Sequence, residues 1–431
     1  MRGTQGATDP RPPAMSPRAI LALTQGYPRR VWLVCFGAYA LSQMDLAMWS
    51  YALPLIRAEF GLSRTVLGLM TGAAFAGGGL VLVWLGLLTD RFGRRTMMIF
   101  GTVASSIFVT AHAFAANIFM LAALRGASIA TGGLLYPATG ALVAEESPSR
   151  IRGLMTGLLQ VAYPLGWFMA SILAVLLLER FGWRAMFFAG LLSVPFIFVI
   201  RSVLRESARF TAQGKVAKAD RPALRELFLP GVRARTLTLF IAQYFFVIAY
   251  GGAFIFSPLY FNEARGFSIA STATLVGLSN LIGIAGYLLA AWVGEFWLTR
   301  RTTTVIWTLL GSFFFTLFIW GSTTYWESML AFSAMALFLL GTAAVKFAYI
   351  AELFPTRLRA TGIAFCGSLA VTLGQATGPV FIGWMADNYS WDMAMFIGGA
   401  LPLLVAGLLY LLLTPVPSGL EIEEVQRRLA G

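Results

Sequence analysis

The chain has 431 residues, 58% of them hydrophobic and 12% charged, and its mean hydropathy is +0.75; a soluble domain is about 25% charged, so a water-soluble enzyme or binding module is excluded. A net charge of +13 does not signal a nucleic-acid binder, because the basic residues are scattered between apolar spans and form no block or aromatic-interleaved patch. The two cysteines, Cys35 and Cys366, lie far apart in apolar runs, which favours packing roles over a disulfide framework.

Residues 1–28 are polar and proline-rich, and no small-x-small cleavage site precedes the apolar run that follows Arg29 and Arg30. They are expected to form a disordered cytoplasmic tail. A transmembrane helix needs ~20 apolar residues to cross ~30 Å of hydrocarbon. Such stretches fall at about 31–55, 64–88, 96–116, 118–144, 153–178 and 184–204, which predicts an N-terminal six-helix bundle over 29–204. A charged cytoplasmic linker, 205–235, separates them from stretches at about 236–261, 270–294, 302–322, 326–351, 361–386 and 393–414. These predict a second six-helix bundle over 236–414, with 415–431 as a C-terminal cytoplasmic tail. The expected fold is an all-α membrane protein with 12 transmembrane helices in two pseudo-symmetric halves.

Charge orients the helices. With both termini inside, 25 of the 32 lysines and arginines fall in inner loops and tails and five in outer ones, the bias expected of cytoplasmic loops. The halves also repeat: Glu145-x-x-Pro148-x-Arg150-x-Arg152 and Glu352-x-x-Pro355-x-Arg357-x-Arg359 coincide at an offset of 207 residues. Parallel six-helix repeats are one plan for secondary transporters, with substrate held near the midplane between halves.

After the second stretch runs Gly86-Leu87-Leu88-Thr89-Asp90-Arg91-Phe92-Gly93-Arg94-Arg95. This string resembles the G-x-x-x-D-R-x-G-R-R loop signature of the major facilitator superfamily, and the match is complete. The resemblance implies a cytoplasmic gate in which Asp90 caps the positive N-terminal end of helix 11 and Arg91 and Arg94 pair with Glu145 or Glu146 after helix 4. Arg152, Glu352 and Arg359 belong to the same set through the repeat. The other reading of these arginines is topological. In the second half the corresponding loop, Gly294-Glu295-Phe296-Trp297-Leu298-Thr299-Arg300-Arg301, keeps an acid and two arginines but loses the glycine turn and the spacing, so any latch there is built differently.

Two basic residues and one acid lie deep in apolar stretches: Arg125 in helix 4, Lys346 in helix 10 and Asp45 in helix 1. Intramembrane charges are costly and are normally paired or turned towards water. At ~1.5 Å per residue, Asp45 and Arg125 both sit roughly 12 to 15 Å below the outer surface, so their depths match. In the superfamily that this chain resembles, helices 1, 4, 7 and 10 line the central cavity, which allows the two to meet there. An anion engaging Arg125 would weaken its hold on Asp45 and favour protonation, so anion and proton would load together. A static ion pair that fixes helix packing is the competing reading. Lys346, with Tyr349 one turn on, either contacts a substrate carboxylate or snorkels to the inner interface.

Further polar candidates for substrate binding are Gln160 and Tyr163 on helix 5, Gln243 and Tyr250 on helix 7, Asn280 and Tyr287 on helix 8, and Gln375 on helix 11. Amides and tyrosines beside aromatic walls suit a flat or hydroxylated organic anion; helix-to-helix contacts are the plainer role for each. The lone His112 has no metal-ligand company and is expected to be structural, and no cofactor or metal is expected. One histidine and two separated cysteines cannot furnish most catalytic constellations, so no enzyme is expected.

The acid in helix 1, the Glu352 to Arg359 segment followed by Gly362, and Arg205-Glu206-Ser207-Ala208-Arg209-Phe210 after helix 6 resemble the metabolite:proton symporter branch of the superfamily, which includes importers of aromatic and other organic acids. The branch's D-G-x-D pattern is reduced here to Ser42-Gln43-Met44-Asp45. The resemblance implies a monomeric inner-membrane symporter of bacterial type that imports a small organic carboxylate with protons by alternating access. An antiporting efflux carrier and a transporter-like sensor are the alternatives.

Overall fold

A computed structural model describes residues 24–148, 151–206, 224–355 and 357–415. The N-terminal half contains α1 (Tyr27–Phe60), α2 (Arg64–Phe92), α3 (Arg94–Ala111) and α4 (Ile118–Gly133, resuming as Leu135–Glu146). Next come α5 (Arg152–Leu159, resuming as Ala162–Phe187) and α6 (Ser193–Val203). The C-terminal half contains α7 (Arg233–Ile248, a π-turn, then Ile255–Glu263), α8 (Ile269–Phe296), α9 (Arg300–Trp320) and α10 (Tyr325–Glu352). It ends with α11 (Arg359–Gly362, a π-turn, then Ala370–Asn388) and α12 (Trp391–Met395, a π-turn, then Leu401–Leu411).

Among the described residues, eleven helical stretches are long and apolar enough to cross a membrane, and one of them, Arg152–Val203, has 52 residues. At ~1.5 Å per residue that is about 78 Å, far more than one crossing requires. The chain leaves helical geometry within it at Gly182 (φ 76°, ψ 174°), a conformation that glycine adopts at little cost, and the stretch supplies two crossings. The expected twelve are thus present. Trp84, Phe119, Leu330 and Leu412 are 69% or more exposed; Trp326, at the start of α10, is 69% exposed as well. An apolar exterior of this kind suits lipid and not water.

Local chemistry sets the helix ends. Asn117, Ser268, Thr299 and Thr324 each accept a hydrogen bond from a backbone N–H of the first turn, and Thr324 forms a capping box with Glu327, satisfying donors that a helix start leaves free. α1 stops at Gly61, whose left-handed φ of 59° lets its N–H reach Arg57 O. Within the halves, α1 packs on α5 and α2 on α4; the halves meet along α2 with α11 and along α5 with α8. Small residues allow this approach. A Cβ on Gly72 would collide with Ala376 O, and one on Gly277 with the Ser171 side chain.

Candidate functional site

Prolines shape the middle of the bundle. A proline inside a helix cannot donate to the carbonyl four residues earlier and clashes with it. Pro137, Pro164 and Pro379 remove the usual donor to the carbonyls of Gly133, Gln160 and Gln375, and Gln160 O accepts from the Tyr163 N–H at 3.0 Å instead. α4 breaks after Gly133, and α5 breaks at Gln160, where the Gln160 and Val161 N–H groups bond only three residues back. Gly133, Gln160 and Gln375 all line one cavity of about 320 Å³ between the halves.

Asp45, Arg125 and Lys346 are the buried aspartate, arginine and lysine among the described residues, at 5%, 2% and 4% exposure, and all three line this cavity. Their depth in the sequence predicted as much for Asp45 and Arg125. The direct ion pair is not formed, however. Arg125 Nη2 donates to Leu46 O at 3.0 Å and its guanidinium lies 5.0 Å from the Trp49 ring centroid. The Asp45 and Arg125 side chains, together with Ser105, line the same cavity. Asp45 Oδ1 and Arg125 Nε are both buried without a hydrogen-bond partner. Lys346 Nζ sits 3.4 Å from the Phe246 ring centroid, a cation–π contact, so it turns into the cavity wall and does not snorkel.

Gln160, Tyr163, Tyr250, Tyr287 and Gln375 also line the cavity, whereas Gln243, Asn280 and Tyr349 do not. Gln243 Oε1 accepts a 2.6 Å hydrogen bond from the Tyr410 hydroxyl, Asn280 Nδ2 donates to Val276 O at 2.8 Å, and the Tyr349 hydroxyl donates to Thr414 O at 2.9 Å. These three join or brace helices. His112 is buried, its Nδ1 bonded to Phe108 O at 2.6 Å and its ring stacked 4.8 Å from Phe187. Sequence reasoning missed Gln43 and Ser105, which face the cavity. Gln43 lies two residues before Asp45, a spacing that points the two in different directions around a helix, and Ser105 is a small hydroxyl inside an apolar stretch, so neither stood out in the sequence.

The two faces of the bundle differ. At the face opposite the N-terminus, Glu263 of α7 accepts from Arg57 of α1 at 2.5 Å, from Arg64 of α2 at 2.8 Å and from Trp391 Nε1 at 3.0 Å. Asp387 of α11 accepts from the Thr65 N–H and hydroxyl, both at 2.7 Å. These contacts tie one half to the other. At the N-terminal face the ion pairs among the described residues stay within a half: Arg94 with Glu145 at 3.2 Å, Arg300 with Glu295 at 2.8 Å and with Glu352, and Arg357 with Glu226 at 3.1 Å. Glu145 and Glu352 correspond in the repeat, and each pairs with the arginine that opens a helix, Arg94 of α3 and Arg300 of α9. The side chains of Asp90 and Arg91 lie outside the described residues. Arg152 Nε is buried without a partner, and Arg359 Nε donates to Ala351 O at 2.9 Å. Glu146, at the end of α4, is partly buried.

Two helical halves around a charged central cavity define a membrane transporter, not an enzyme. The sequence pattern of the Major Facilitator Superfamily matches residues 35–304 and 288–429, and the chain belongs to that superfamily. It is 24% identical over 425 residues to the niacin transporter NiaP of Acinetobacter baylyi, covering 92% of this chain and 95% of that one. It is 26% identical over 377 residues to the cis,cis-muconate transport protein of the same species, covering 86% and 90%. Among solved structures, a bacterial homologue of the human lysosomal transporter Spinster in an inward-facing, occupied conformation aligns with a TM-score of 0.74 and 16% identity, over 90% of this chain and 96% of that chain. That likeness is one of fold.

Proposed function

We propose that the chain is a proton-coupled symporter that imports a small organic carboxylate, aromatic acids included, by alternating access, with both termini cytoplasmic in a bacterial-type inner membrane and a monomer as the working unit. The observation that carries this reading is the gathering of Asp45, Arg125 and Lys346 in one cavity between the halves. An acid and two bases are costly inside a membrane domain unless they handle a charged solute. Relatives named for niacin and for cis,cis-muconate transport support an organic acid as that solute.

In this reading Asp45 carries the proton. With Asp45 ionised, Arg125 is held partly by its charge. An incoming carboxylate takes over the guanidinium, the carboxyl group loses its stabilising neighbour, and protonation follows. Lys346 offers a second cation from the other half, so a bound anion draws the halves together. Glu263 and Asp387 close the outer face while the loaded site opens inward. In the return state Asp90, Arg91 and Arg94, with Glu145 and Glu146, close the cytoplasmic face, and Arg152, Glu352 and Arg359 brace it.

Purified protein in liposomes tests the proposal with nicotinate and cis,cis-muconate as probes. Uptake should rise when the outside is acidified and collapse with a protonophore. Accumulation driven by the opposite gradient would make the chain an efflux antiporter, and binding without accumulation would make it a sensor; either result overturns symport.

A further inference from the structure

The cavity contains a second polar site that the charge pair does not use, at the seam of α1 and α5. Gly166 of α5 packs directly on α1: a Cβ there would stand 2.6 Å from the Gln43 Cβ and 2.5 Å from Ala40 O. This close approach holds Gln43 at the seam, where it lines the cavity. Tyr163, three residues before Gly166 and hence on the same face of α5, lines the same cavity, its ring 5.7 Å from Tyr250. Gln43 Oε1 and the Tyr163 hydroxyl are both buried with no hydrogen-bond partner. Buried polar groups in native proteins are nearly always paired, and the exceptions call for a reason.

The chemistry of the two groups restricts what completes them. A carboxamide oxygen only accepts, and a carboxylate has no hydrogen to give it. The anionic end of a substrate therefore satisfies Arg125 or Lys346 but not Gln43 Oε1. A neutral O–H satisfies it, and the same hydroxyl oxygen can accept from Tyr163. We infer that Gln43 and Tyr163 form a specificity site that reads a hydroxyl group carried by the acid in addition to its carboxylate, and that hydroxylated ring acids are preferred over their unsubstituted analogues. The inference rests on the organic-acid reading above and narrows its substrate class.

The test compares benzoate with 3- and 4-hydroxybenzoate, by calorimetry and thermal shift, on the full chain in detergent. Wild-type protein should bind the better hydroxybenzoate at least about tenfold more tightly than benzoate, because a site built to bond a hydroxyl rejects the analogue that lacks it. In Gln43→Leu that ratio should fall below about threefold, and Tyr163→Phe should lower it as well, with measurable benzoate binding as the sign that each variant is folded. Equal affinities in the wild type, or a ratio that survives both substitutions, would overturn the specificity site while leaving acid transport standing. If wild-type protein binds none of the three acids and neither nicotinate nor muconate, the organic-acid reading falls and this inference with it.

Discussion

Glu263 is the hub of the contact that closes one face, and replacing it with glutamine removes its charge while keeping an oxygen for Trp391. Two ion pairs are lost, to Arg57 and Arg64, whose side chains are 29% and 27% exposed against 14% for Glu263. Fully exposed pairs contribute ~0.2 to 1 kcal/mol, and hydrogen bonds to charged groups contribute ~1.5 to 3 kcal/mol when desolvated. At this intermediate exposure about 1 kcal/mol for each pair is reasonable. The total of about 2 kcal/mol moves the balance between closed and open forms of that face roughly 30-fold. Spin labels placed at Ser63 and Asn388, exposed positions on opposite halves of that face, report the change as a distance distribution. Cys35 and Cys366 are buried and do not compete for label. The wild type should give one short distance; Glu263→Gln should add a longer population that high salt also promotes in the wild type. An unchanged distribution in the variant would refute the role of Glu263 as a lock.

Other substitutions separate stability from transport. Asp45→Asn should abolish pH-driven uptake in liposomes while solute exchange remains measurable, and normal accumulation would remove Asp45 from coupling. Arg125→Ala should lose acid binding in calorimetry; an unchanged dissociation constant would take it out of the site. Lys346→Met should raise the melting temperature of the ligand-free protein, because an unpaired buried charge is replaced by an apolar chain of similar length, and should weaken acid binding at the same time. Loss of stability with affinity intact would assign Lys346 to packing. Gly72→Val places a side chain against the Ala376 carbonyl and should cost about 1 to 3 kcal/mol, seen as a lower melting temperature.

Much of the fold was legible because lipid demands long apolar runs, and the break between the fifth and sixth stretches was legible too, with Gly182 falling in the gap. Matching depths were enough to bring Asp45 and Arg125 to one cavity. They were not enough to specify the contact, since the competing acceptor is a backbone carbonyl, Leu46 O, and the competing surface is the Trp49 ring. Residue type alone did not separate Gln375 from Gln243: both are amides in apolar helices, and only the neighbour across the gap decides, open cavity for one and the Tyr410 hydroxyl for the other. The lock at Glu263 was hidden for a related reason. Arg57 and Glu263 are 206 residues apart, and in the linear chain Arg57 counts only as a basic residue on the side where few are expected.

Coupling is tested most directly by proton movement itself. When nicotinate or muconate is added to a weakly buffered suspension of liposomes containing the protein, with no imposed gradient, the external medium should become more alkaline as proton and anion enter together, and Asp45→Asn should abolish the signal. Solute entry with no alkalinisation in the wild type, or an undiminished signal in Asp45→Asn, would contradict the account.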